Sequence, residues 1–272
     1  MTDEEDVARD FITTLRKYYD EHGRHDLPWR LPGADRSFDP YKILVSEIML
    51  QQTQVARVMP KYGAFLKSFP TVESLTAAEL AEVLLAWQGL GYNRRAKYLW
   101  EAARVIKQHG YFPTDMPGLV ALPGVGVNTA GAILAYAYNQ PVVFVETNIR
   151  TVYIHHFTRD GQIVSDDFIR DLVSSTIDRD NPREFYWALM DYGSHLKTLV
   201  KNNHRSKHYV KQSPFQGSRR QVRGEVLRLL RARPCKLSEL KGRMSDDRLP
   251  GVLEDLLREG LISQHKSKYY LG

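Results

Sequence analysis

Over the first two hundred residues, apolar positions recur mainly at three- and four-residue spacing, the period of an amphipathic helix. Val7, Phe11, Leu15 and Tyr18 line one face of a first helix, and Thr2 and Glu5 have capping-box spacing ahead of it. A proline-rich irregular stretch, Leu27-Pro28-Trp29-Arg30 to Asp39-Pro40, separates this from an apolar helix over about Tyr41 to Val55. Shorter helices punctuated by Pro60, Pro70 and Gly89/Gly91 follow. Helical spacing continues over Ala78–Trp87, Arg94 to about Ile106, Gly131–Tyr138, Asp166–Ile177 and Glu184–Val200. Pro141–Val145 reads as a strand, or equally as a buried turn or helix start. Residues 201–217 break the pattern with four Lys/Arg, no acid and the turn-like Ser213-Pro214-Phe215-Gln216-Gly217. Beyond them, Val222, Val226, Leu229 and Leu230 mark an amphipathic helix, and a short helix is expected near Ser238–Met244. Leu249, Val252, Leu253, Leu256 and Leu257 mark a third. The last elements read as a hairpin: Leu261-Ile262-Ser263-Gln264-His265, a Lys266-Ser267 turn, then Lys268-Tyr269-Tyr270-Leu271.

Composition adds bounds. With 272 residues, 43% apolar and 26% charged, the chain can bury a sizeable core and is too apolar for disorder. No apolar run approaches the ~18 residues of a membrane span. The acidic Thr2-Asp3-Glu4-Glu5-Asp6 start is unlike a signal peptide, so the cytoplasm (the nucleoid, in a bacterium) is the expected location. One cysteine, Cys235, excludes an intramolecular disulfide and speaks against a cysteine-ligated metal. The net charge of +6 is unevenly spread: Lys197–Arg233 holds eleven Lys/Arg against the single acid Glu225. That stretch suits a polyanion partner, or else a solvated helix face and linker. Charge alone leaves both open.

Three segments carry chemistry. In Leu122-Pro123-Gly124-Val125-Gly126-Val127-Asn128-Thr129-Ala130-Gly131, a proline and two glycines let the backbone turn sharply and bring bare amides forward. The helix that follows offers its first amides and its dipole to a phosphate. In Ser46-Glu47-Ile48-Met49-Leu50-Gln51-Gln52-Thr53-Gln54-Val55, Glu47 lies inside an apolar helix, where a carboxyl is costly unless paired or protonated. An arginine partner is the plain alternative. In Val145-Glu146-Thr147-Asn148-Ile149-Arg150, Glu146 has the place of a helix-start acid.

The first segment resembles the hairpin of the helix-hairpin-helix DNA glycosylases, and the second resembles the corresponding helix of MutY-type adenine DNA glycosylases. The match extends in order through Leu27-Pro28-Trp29-Arg30, Asp39-Pro40-Tyr41-Lys42, Phe69-Pro70-Thr71, Gly89-Leu90-Gly91-Tyr92 and Met190-Asp191-Tyr192-Gly193, covering about Leu27 to Thr198. The resemblance implies a mainly α, two-lobed glycosylase domain over residues 1–200, with lobes 30–140 and 1–29 plus 141–200. A basic linker (201–217) then leads to a small α+β domain (218–272) whose three helices and hairpin resemble a winged helix.

The resemblance implies a monofunctional, base-flipping glycosylase that acts by hydrolysis on double-stranded DNA, as a monomer. Glu47 would protonate the leaving adenine, Glu146 would stabilise the developing sugar cation, and Asn148 would assist. Arg30 and Asp191 would meet the extruded base, or form an ordinary ion pair. Gln52 and Tyr92 would fill or wedge the base stack. Leu122, Gly124, Gly126 and Thr129 would hold the DNA backbone, with Arg219, Arg220 and Arg223 adding affinity. The sequence also departs from the family. Glu146 stands where the family has Asp, and Asn128 where strand-cutting relatives such as endonuclease III have the Schiff-base Lys. Lys197 takes the place of the first of four iron–sulfur cysteines, so neither metal nor cofactor is expected. The two histidines of Asn202-Asn203-His204-Arg205-Ser206-Lys207-His208 suit a phosphate-binding loop better than a metal. The nucleotide-hydrolase-like domain that helps typical relatives recognise 8-oxoguanine is replaced by the winged-helix-like unit. Two alternatives stand beside adenine excision opposite 8-oxoguanine or G: a thymine or uracil mismatch glycosylase, and a catalytically silent protein that binds distorted DNA.

Overall fold

A computed structural model describes residues 3–211 and 214–272; Thr2 of the capping pattern and Ser213 of the turn-like run lie outside them. The described chain is mainly α. In order it forms α1 (Asp3–His22), α2 (Pro40–Leu50), α3 (Val55–Ser68), α4 (Val72–Ala77), α5 (Leu80–Ala86), α6 (Arg94–His109) and α7 (Met116–Val120). There follow α8 (Val127–Tyr138), α9 (Thr147–Phe157), α10 (Asp166–Thr176) and α11 (Pro182–Leu199). The C-terminal part adds α12 (Arg219–Ala232), β1 (Cys235–Lys236), α13 (Leu237–Arg243), α14 (Leu249–Arg258), β2 (Ile262–His265) and β3 (Lys268–Leu271).

These elements fall into two compact units. The first comprises the chain up to Glu47, Pro113–Ala121 and Val125–Val210. In it α11 packs on both α9 and α1. Close approach of α11 to α9 depends on Gly193, because a Cβ there would stand 2.5 Å from the Asn148 carbonyl oxygen. From α1, Phe11 meets the rings of Tyr153, His156 and Phe157 at 5.1–5.3 Å between centroids. Burying such a side chain contributes roughly 2 kcal/mol. The expected apolar face starts at Phe11, since Val7 is 45% exposed. Residues 141–145 are extended but join no ladder, so the strand reading of Pro141–Val145 does not hold. Their polar groups turn to side chains instead: Tyr186 Oη donates to the Val142 carbonyl at 2.7 Å.

The second unit comprises Ile48–Phe112, Leu122–Gly124 and the chain from Lys211. Here α4 and α5 pack on α6, while α12 packs on α14 and β3. Thr71 opens α4 with a reciprocal capping box, and Ser218 caps α12 by accepting from the Gln221 amide. The small antiparallel sheet has the order β1-β3-β2. Its register sets the buried Cys235 and Gln264 opposite the buried Tyr269. Three helices and a terminal hairpin are the arrangement expected of this segment; the short strand β1, paired with β3, is an addition. The helix expected over Tyr41–Val55 is instead two helices: α2 stops at Leu50, and α3 starts at Val55 after a turn. Gln52 in that turn has φ +53°, a left-handed conformation that no α-helix contains.

Candidate functional site

In the first unit, Glu47 ends the part of α2 that belongs there, and Glu146 is the N-cap of α9. Oε1 of Glu146 accepts from the amides of Asn148 (2.5 Å) and Ile149 (3.1 Å). Two of the four amides that a helix start leaves unpaired are thus satisfied. Both the helix-start and the catalytic expectation for Glu146 therefore concern one and the same carboxylate. Both Glu47 and Glu146 keep some accessible surface, yet protein atoms crowd their carboxyls.

Their environments differ. Burial, and then the neighbouring Glu146 charge, push Glu47 up to about 8 against the opposing pull of Arg30. Burial also raises Glu146, but Lys197, the two amides and Arg150 all favour its ionised form. Glu47 therefore holds its proton more readily than an ordinary glutamate, while Glu146, though also raised, has partners that favour its charged form. Beside them, Asn148 donates from Nδ2 to Met190 Sδ at 3.6 Å, while its buried Oδ1 lacks a hydrogen-bond partner. Such an acceptor is completed by a ligand or a water.

Arg30 and Asp191 come together as a buried two-pronged ion pair, with Nη1–Oδ2 at 2.8 Å and Nη2–Oδ1 at 2.9 Å. Arg24 joins them, donating to Asp191 from its amide (2.8 Å) and from Nε (2.7 Å). Burial raises the Asp191 carboxyl, but Arg30 and Arg24 outweigh it and hold it below the usual range. The Arg30 guanidinium also lies over Trp187, 5.4 Å from the ring centroid, and Trp187 stacks on Tyr136 at 6.0 Å. Burial raises Tyr136 well above the usual phenol range, with the Glu47 charge contributing next. Arg24, Tyr136 and Trp187 were missed by the sequence reading. Arg24 gives no local signal, and the two aromatics read as ordinary core.

The hairpin is built as its sequence suggests. Gly124 has φ +77°, and a Cβ there would stand 2.6 Å from Tyr98 Cβ, so glycine is required on both counts. Gly126 is the N-cap of α8, and its carbonyl accepts from the Ala130 amide at 2.8 Å. Leu122 is buried, whereas Thr129 stands in the first turn of α8 with part of its surface accessible. Asn128 accepts from the Val145 amide at 3.4 Å.

In the second unit, Gln52 and Tyr92 both have left-handed backbones, φ +53° and +46°. For a non-glycine residue this costs about 1–2 kcal/mol and requires outside support. Arg95 supplies it. Its guanidinium donates to the carbonyls of Ile48 (2.8 Å), Met49 (2.9 Å), Gln51 (2.5 Å), Leu90 (3.2 Å) and Gly91 (3.3 Å), and to Thr53 Oγ1 (3.0 Å). It also lies 5.4 Å from the Tyr92 ring centroid. One buried cation thus ties the Gln52 turn to the Tyr92 turn. The signal was available: arginines opening a helix oppose its dipole and need another reason to be there.

The basic stretch does not stand free. Arg219 binds Asp255 and the Gly251 carbonyl, Arg223 binds Glu259, and Arg220 donates to Tyr92 Oη at 2.8 Å. Arg228, Arg231 and Arg233 engage Glu225, Asn93 and Glu239. The loop after α11 is likewise braced internally, through Asn202 and Arg205, while Lys201, His204, Lys207 and His208 are exposed. The buried Arg205 donates to Thr158 Oγ1 at 2.6 Å, to the Gln162 carbonyl at 3.1 Å and to the Arg159 carbonyl. Asn202 Nδ2 reaches the Thr151 carbonyl at 2.9 Å. A four-cysteine cluster does not fit this chain, whose single thiol lies far along the sequence in β1.

Comparison with known proteins bears on this arrangement. Residues 45–174 match the HhH-GPD superfamily base excision DNA repair protein family. The adenine DNA glycosylase of Mycolicibacterium smegmatis is 36% identical over 275 residues, 92% of this chain and 92% of that protein. The adenine DNA glycosylase of Buchnera aphidicola subsp. Baizongia pistaciae is 36% identical over 190 residues, 68% of this chain and 52% of that protein. Among solved structures, a thermostable thymine-DNA glycosylase superposes with a TM-score of 0.61 at 24% identity, covering 71% of this chain and 88% of that one. That last likeness is one of fold.

Proposed function

Because the chain belongs to the HhH-GPD superfamily of base excision DNA repair proteins, in company with the adenine DNA glycosylases, we propose that it hydrolyses the N-glycosidic bond of an adenine rotated out of a mispaired DNA duplex. The observation that carries the reading is a pair of neighbouring carboxyls in unlike settings, Glu47 within the apolar α2 and Glu146 accepting two amides at the start of α9. Glycosidic cleavage needs that pair. Glu47 gives its proton to a ring nitrogen of the leaving adenine as the C1′–N bond breaks. The Glu146 carboxylate balances the positive charge that grows on the sugar. Water then adds at C1′ and loses a proton, yielding a free base and an abasic site. Asn148, whose buried Oδ1 lacks a partner, would assist by accepting a hydrogen bond from water or sugar. Arg30, fixed by Asp191 and backed by Trp187, would face the edge of the base. The segment 218–272 is proposed as a separate winged-helix-like module.

The test is purified protein against duplexes carrying A:8-oxoguanine, A:G, T:G, U:G and hypoxanthine pairs, with abasic sites scored by alkali. Adenine release is the expected result; release of thymine or uracil alone would move the protein to the mismatch branch. Strand breaks should appear only after alkali or heat, because Asn128 cannot form a Schiff base. Near-stoichiometric borohydride trapping of a protein–DNA adduct would contradict this.

The excision rate should also trace a bell against pH. Glu47 acts while protonated, so the rate falls as pH rises through about 8. Glu146 acts while charged, so the rate falls again at low pH, at a point above the ordinary glutamate range because burial raises this group. Single-turnover rates between pH 4 and 10 check both limbs, and a flat alkaline limb would remove Glu47 from the acid role.

A further inference from the structure

Within the second unit, the C-terminal helices converge on one short stretch, residues 92–97. Arg220 reaches Tyr92 Oη (2.8 Å) and Arg231 reaches Asn93 Oδ1 (3.2 Å). Glu259, just past α14, takes both Arg94 and Arg223, and its carbonyl accepts from Lys97 Nζ at 2.5 Å. Arg220, Arg223 and Arg231 are three and eleven residues apart, a spacing that places them on one face of α12. Docking is already secured by Glu259 and Arg231. Arg220 does something different, because its partner is a poor anchor: an aromatic side chain 38% exposed on a left-handed backbone.

We propose that Arg220 is a positioning residue for Tyr92, through which the C-terminal module sets the posture of the side chain that enters the base stack. The inference rests on the glycosylase reading and on Tyr92 as its wedge. Two cations hold the tyrosine from different sides. Arg95 lies against the ring, and Arg220 grips the hydroxyl at the far end. The ring therefore meets the duplex in one orientation instead of sampling several, so the ordering cost is met before DNA arrives. Arg220 itself remains partly accessible, with its second nitrogen turned toward the Pro214 carbonyl at 3.4 Å. Arg220 is no part of the buried core, so losing it removes polar contacts, that to Tyr92 among them, and no core packing.

The experiment uses the full chain and a duplex with 2-aminopurine in place of the target adenine, whose fluorescence rises when the base leaves the stack. Arg220→Ala should slow that rise by roughly tenfold, the factor set by a single net hydrogen bond. Tyr92→Phe, which keeps the ring and deletes the hydroxyl, should slow it equally, and the double variant no further. Arg220→Lys should restore part of the rate. Excision from a substrate whose target base is already unpaired should fall less than excision from a paired one in each of these variants. Additive losses would overturn the proposal, as would uniformly weaker duplex binding with normal base extrusion, which would make Arg220 a phosphate contact. If wild-type protein neither extrudes 2-aminopurine nor releases adenine, the glycosylase reading falls and this inference with it. If Tyr92→Ala extrudes the base normally, only the wedge assignment and this inference fall.

Discussion

Glu47→Gln should lower single-turnover adenine excision by at least ~100-fold while duplex binding persists, the loss typical of removing a general acid. The amide matches the carboxyl in shape, so the neighbouring α2 packing stays in place, but it has no proton to give. Glu146→Gln should cost a similar ~100-fold or more, since it removes the fixed charge facing the developing cation. It also exchanges a charged cap of α9 for a neutral one, so a modest loss of stability should accompany the loss of rate. Glu146→Asp is the instructive variant. A shorter side chain can still cap the helix, but its carboxylate withdraws by about a bond length, and a misplacement near ~1 Å can cost ~100-fold. It should be no better than wild type. If Glu146→Gln cuts at the wild-type rate, another group stabilises the sugar. If Glu146→Asp alone awakens an otherwise inactive protein, the chain is a silent binder of distorted DNA.

The second large effect is on stability. Asp191 is 2% exposed and Arg30 4%, and Arg24 adds a further contact to the same carboxylate. Asp191→Asn leaves a buried cation without its counter-charge, which typically costs 3–5 kcal/mol, so the denaturation midpoint should fall by about that equivalent. Replacing Arg30 and Asp191 together by apolar residues should cost less than Asp191→Asn alone. The pH dependence has a definite sign. Asp191 is held below its ordinary value, so its contribution is complete above the usual aspartate range and is lost as pH falls. Glu47 is held above its ordinary value, so its contribution is complete at low pH and fades as pH rises toward about 8. Urea titrations at several pH values separate the two, since Asp191→Asn should flatten the acid side and Glu47→Gln the alkaline side.

Periodicity was a good guide wherever helices bury a single face, as α6, α10 and α14 do. It failed at α2, where the backbone turns after Leu50, because Arg95, more than forty residues later, claims the carbonyls that would have extended the helix. No local pattern encodes a bond of that range. Glu47 stood out as an acid in an apolar helix, whereas Glu146 and Asn148 were singled out by the resemblance, since a polar cluster at a helix start is ordinary. Arg24 was not, since an arginine in a polar turn looks like a solvated one. The basic run of α12 shows a related limit. Composition counts charges but does not show that Asp255 and Glu259 return to meet them.

The loop around Arg205 has a consequence for the conditions under which such a protein keeps its shape. Amides, hydroxyls and a guanidinium hold it, and none of these donors or acceptors is a thiol or a metal ligand. Oxidants that attack thiolates find no target there, and a shortage of iron removes nothing from it. Its integrity is governed by solvent and temperature, which weaken ordinary hydrogen bonds, and it is indifferent to redox poise.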